Sequence, residues 1–86
     1  MKIHELKILS YYFCCIRNGS KKFEVRKNDR DFKSSDVLHL KEWDDNKNEY
    51  TGRSLLVEVD HILHGGEFGI EKGYCVMSIK KLVCSQ

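Results

Sequence analysis

Residues 19–26 read Gly-Ser-Lys-Lys-Phe-Glu-Val-Arg, which sets Lys21, Glu24 and Arg26 at short intervals behind one glycine. Together these side chains can address an anionic ligand. Arginine offers a planar fork to a phosphate or a base edge, and lysine a point charge. Glutamate accepts from an exocyclic amine of the kind cytosine presents. Lys27 and Arg30 follow closely and are candidates for further phosphate contacts. Lys7 adds charge at the rim. Other chemistry fits the same residues. Lys21 and Glu24 could act as an acid–base pair hydrolysing a modified nucleoside or RNA. The basic rim could instead dock an acidic protein partner. The plainest description is an exposed ion-pair ladder, worth little energy, on a sheet edge protected by lysine.

The charge distribution favours a localised site. The whole chain of 86 residues carries a net charge of only +2. Residues 17–33 hold seven basic against three acidic side chains, a net +4, and the remainder sums to −2. Such asymmetry concentrates an anion at one place. A length of 86 residues and a hydrophobic content of 41% describe one globular domain, residues 1–86, with one modest core.

The elements that must position these residues are short. "KIHELKIL" alternates as a strand, with His4, Leu6 and Ile8 on one face. Ser10 is expected to cap a helix over "YYFCCIRNG", with Leu9, Phe13 and Ile16 on its inner face. Gly19 stands where a left-handed residue ends a helix. "KKFEVRK" reads as a strand whose ideal pleat sends Phe23 and Val25 inward and Lys22, Glu24 and Arg26 outward. Lys21 then falls in the turn before pleating begins. "VLHLKEW", "RSLLVEVDHIL" and "YCVMSIKKLV" complete about five strands, with Leu55, Val57 and Val59 facing one side and Glu58 and Asp60 the other. "HGGEFGIEKG" is a Gly-rich loop with room for one helical turn. The pattern is mainly β with one main helix, an α+β chain forming a small, strongly bent sheet or barrel whose mouth the helix plugs.

Other residues read more plainly. The four cysteines, Cys14, Cys15, Cys75 and Cys84, form no CxxC pair and are expected to be reduced thiols. His61 and His64 face opposite ways on one strand, so no metal site is expected, and no cofactor is implied. His4 is expected to be a satisfied, partly buried histidine. Trp43 and the tyrosines are expected mostly in the core, with base stacking as the alternative. The carboxylates of "EWDD" are expected at the surface. No apolar run suits a bilayer and the start shows no signal-peptide pattern, so a cytoplasmic protein without membrane contact is expected.

The pattern Gly-x-Lys-x-x-Glu-x-Arg, after a short helix and opening a strand, resembles the signature of the ASCH domains, relatives of the PUA fold. Further blocks in order resemble a branch of small bacterial and phage ASCH-like proteins: "MKIHELKI", "FEVRKNDRDF", "EYTGR" and "ILHGG". The resemblance covers nearly the whole chain. It implies a PUA-like barrel of about five strands and a cleft between helix and barrel that takes RNA or a nucleotide. Some ASCH proteins are amidohydrolases of acylated cytidine that use the motif lysine with a threonine where this chain has Glu24, so that activity is not carried over. Ser35 and Ser10 replace a common glycine and a common proline of the resembling chains and bear on local turn geometry.

Overall fold

The computed structural model describes residues 1–84. The chain runs β1 (Ile3–Leu9), α1 (Ser10–Arg17), β2 (Phe23–Lys27), β3 (Val37–Asp44), β4 (Glu49–His64) and β5 (Tyr74–Cys84). All five strands form one curled sheet in the order β1-β3-β4-β5-β2. Only β1 and β3 are parallel, and the remaining pairs are antiparallel. The edges β1 and β2 therefore run in opposite directions along a seam where, among the described residues, no ladder joins them.

Alternation fills the inside of the curl. Leu6 and Ile8 from β1, Leu38 and Leu40 from β3, Leu55, Val57 and Val59 from β4, and Cys75, Met77 and Ile79 from β5 are buried. Glu58 is half-buried and Asp60 exposed on the other face of β4. The helix closes one mouth with Phe13 and Ile16, and Phe32, from the loop before β3, fills the other end beside His4. Leu9, expected on the inner helical face, is 41% exposed because it is the residue before the helix and still extended. Ser10 is the first helical residue rather than the cap, and its hydroxyl donates to the Trp43 carbonyl at 3.3 Å. Gly19 has φ of 89°, the left-handed conformation expected after a helix.

β4 begins at Glu49, ahead of the expected strand "RSLLVEVDHIL", because a short turn returns the chain directly against Trp43 and Asp44. The loop between β4 and β5 folds as turns without a helical segment. The largest departure concerns β2. Phe23 and Val25 are 45% and 49% exposed, whereas Glu24 is 4% exposed. The pleat is opposite to the one expected from hydrophobicity. β2 is an edge strand, and its inner side faces the polar seam rather than the apolar core.

Candidate nucleotide site at the seam

The site begins at the helix end. The Gly19 amide donates to Ile16 and the Lys21 amide to the Cys15 carbonyl, so the turn is fixed before β2 starts at Phe23. Lys21 thus stands ahead of the pleat and its stem curls back. Its Nζ donates to the Phe23 carbonyl at 2.7 Å and to Glu24 Oε1 at 3.0 Å. Arg26 Nη2 donates to Glu24 Oε2 at 3.0 Å and to the Lys7 carbonyl across the seam at 2.9 Å. Glu24 is therefore a hub, with one cation on each oxygen. The side chains of Lys21, Glu24 and Arg26 are 15%, 6% and 24% exposed. Partial desolvation at this depth makes the pairs stronger than ordinary surface ion pairs.

Around this triad lies an open cleft of about 510 Å³. Its floor includes Ile8, Glu24 and Arg26, and its walls include Lys7 and Leu9 on one edge and Phe23 and Val25 on the other. Tyr12 of the helix closes one end. Lys21 Nζ sits 4.8 Å from the Phe23 ring centre and 5.5 Å from that of Tyr12, within cation–π range. Lys7 Nζ lies 4.0 Å from the centre of the Trp43 ring. Trp43 is half-buried on the outer face of β3 and meets Tyr50 edge to face, so neither ring belongs to the core.

Of the six residues singled out in the sequence, Lys7, Lys21, Glu24 and Arg26 line this one cleft. Lys27 is exposed at the far end of β2, opposite Tyr74. Arg30 lies further along the seam, where its Nη1 donates to the Glu5 carbonyl at 2.7 Å. The geometry also constrains Glu24. Both its oxygens already accept from cations, so it positions Lys21 and Arg26 and is poorly placed to read a base.

Two buried acids elsewhere hold the scaffold. Glu42, expected at the surface as part of "EWDD", is 1% exposed. It continues the inward alternation of Leu38 and Leu40 along β3, and the register shift between Lys41 and Trp43 lies where β4 supplies Thr51 and Arg53. It accepts from Thr51 Oγ1 at 2.7 Å and from Arg53 Nε and Nη2 at 2.7 and 2.9 Å. Burial pushes its pKa up, but hydrogen bonds from Arg53, Thr51 and Ser10 outweigh that and hold it below the ordinary glutamate value. Its signal in the sequence was parity with Leu38 and Leu40. Asp36 accepts from His4 Nε2 at 2.9 Å and from the Lys2 and Lys33 amides, each at 3.0 Å. Burial again raises its pKa and these bonds, His4 first, bring it below the usual value. His4 is 8% exposed and satisfied by this partner. Cys14, Cys15 and Cys75 are free thiols, and burial pushes the Cys75 thiol up. The Cys84 side chain lies outside the described residues. Among the described residues no three potential metal ligands gather, and no helix is long and apolar enough to cross a membrane.

A curled five-stranded sheet with a helix over one mouth and a Lys–Glu–Arg triad in its seam defines a small α+β domain of one kind. Residues 3–79 match the family model described as a domain of unknown function, DUF3850, and the chain belongs to that family. It is also similar to a protein of Escherichia phage P2, described as an uncharacterized 12.9 kDa protein in the GpA 3′ region. The two are 36% identical over 61 residues, covering 71% of this chain and 54% of the phage protein. The match thus spans about half the length of that relative.

Proposed function

We propose that the domain binds single-stranded RNA, or a nucleotide portion of it, in the seam cleft of a PUA-like half-barrel of the ASCH type. The observation that carries this is the pairing of two fixed cations, Lys21 and Arg26, with the half-exposed rings of Tyr12 and Phe23 in one cleft. Phosphate meets Lys21, Arg26 and Lys7, and a base stacks on Tyr12 or Phe23. Glu24 holds the two cations in place. Arg26 keeps its Nη1 and Nε donors for the ligand, because its two protein contacts both use Nη2. Lys27 and Arg30 lie beyond the cleft and serve flanking phosphates. The free thiols at Cys14, Cys15 and Cys75 fit a reducing, cytoplasmic setting.

The hydrolase alternative requires Glu24 to take up a proton, and its oxygens are already committed to Lys21 and Arg26. Binding is therefore the reading the geometry favours. The test is a fluorescence-anisotropy titration with short single-stranded RNA, DNA and free nucleotides, run beside a product assay on the same ligands. Salt-sensitive binding without turnover is expected. Affinity that is flat in salt and unmoved by Arg26→Ala overturns the reading.

A further inference from the structure

Two Lys-Lys pairs lie far apart in the chain, Lys21–Lys22 before β2 and Lys80–Lys81 in β5. The fold sets them side by side. Phe23 is registered with Ser78, and the Ile79 amide donates to the Lys22 carbonyl at 3.1 Å, so the lysines meet across antiparallel neighbours. Like charges placed this way are destabilising unless something anionic joins them. They rim a second groove of about 260 Å³, with Ile16 and Ile79 in its lining and no carboxylate among the lining residues.

Lys21 is already paired with Glu24 at 3.0 Å, so the charge left to this groove is that of Lys22, Lys80 and Lys81. Lys80 Nζ is 3.7 Å from Asp60, and both side chains are more than half exposed, a weak pair. Lys81 Nζ donates to the Arg17 carbonyl at 2.7 Å and so neutralises part of the negative helix end. Lys21 belongs to the seam cleft as well as to this groove. The two depressions therefore meet at one cation.

We propose that the lysine groove is a second subsite that takes the sugar–phosphate backbone of the same nucleic-acid strand, entering or leaving the seam cleft past Lys21. The inference rests on the nucleotide reading of that cleft and extends it. The ligand is a single strand of several nucleotides, not a free nucleotide. The groove has lysine points and no ring face in its lining, so it grips phosphate without reading bases.

The experiment compares a labelled dinucleotide with a single-stranded RNA of about eight nucleotides, a length within the range one small domain covers. The variant is Lys22→Ala/Lys80→Ala, which leaves the cleft cations in place. The longer RNA is expected to bind more tightly and with a steeper salt slope than the dinucleotide. In the variant, its affinity falls about tenfold and its slope becomes shallower by about 1.4, near 0.7 for each cation lost. The dinucleotide changes less than twofold. The subsite is overturned if both RNAs bind alike, or if the variant weakens them equally. It is also overturned if an oligoglutamate peptide of matched charge displaces the longer RNA as well as unlabelled RNA does. If the dinucleotide fails to bind the wild-type protein at all, the cleft reading itself has failed and the subsite falls with it.

Discussion

Replacing Glu24 with glutamine tests whether the cleft works by charge held in place. The cleft holds three cations, Lys7, Lys21 and Arg26, and one carboxylate, Glu24, which contacts two of them at 3.0 Å. For a ligand confined to the cleft the effective charge is therefore about +2, where the same three cations without Glu24 would present about +3. At roughly −0.7 per neutralised phosphate on a single strand, log affinity against log salt should have a slope of about −1.4. Glu24→Gln removes the countercharge and keeps an acceptor for one of the cations. The effective charge rises to about +3 and the slope steepens to about −2.1. Arg26→Lys preserves the charge and should leave the slope unchanged, while losing the Nη1 and Nε donors that the protein contacts leave free. The assay is anisotropy of a tetranucleotide, which carries the roughly three phosphates these slopes require, from low to moderate salt, with thermal melts to verify folding. A slope that flattens in Glu24→Gln, or that is the same in every variant, refutes the account of Glu24 as the countercharge of the site.

Three further outcomes concern the scaffold. Arg53→Ala leaves the buried Glu42 carboxylate without its principal partner and should lower the midpoint of urea unfolding by more than Thr51→Ala does, because it removes two of the three hydrogen bonds on that carboxylate. Asp36 has a lowered folded pKa, so its contribution is present above the unfolded value and is lost as pH falls through the folded one. The stability gap between wild type and Asp36→Asn, measured by denaturant titration, should therefore be full at neutral pH and narrow below pH ~4. Gly65→Ala should destabilise the protein by about 2 kcal/mol in the same assay, because a Cβ there would fall on the Glu71 carbonyl oxygen.

The inner faces of β1 and β4 were legible in the sequence because apolar residues recur at every second position. The turn at Gly19 was legible because a left-handed residue after a helix favours glycine. Placing Lys21 before the pleat also followed from this local chemistry. The orientation of β2 did not. Reading Phe23 and Val25 as inward assumes that the inside of a strand meets the core, and at the seam it meets Lys7 and its carbonyl instead. Glu42 was read as surface because its partners, Thr51 and Arg53, arrive only through the β3–β4 pairing. The lysine groove was hidden for the same reason, since its two halves are neighbours only in the folded sheet.

The seam has a mechanical consequence. Its two strands are held by long side chains, Arg26 to the Lys7 carbonyl and Arg30 to the Glu5 carbonyl, rather than by a ladder. A backbone ladder has a fixed spacing, but an arginine tether can lengthen or let go without disturbing any backbone hydrogen bond of the sheet. The width of the cleft is therefore adjustable. A phosphate that draws Arg26 away from Lys7 would slacken one tether while Arg30 keeps the other, so the aperture opens as a hinge at the helix end and stays narrow at the far end. The arginine proposed to grip phosphate thus also sets how wide the cleft stands.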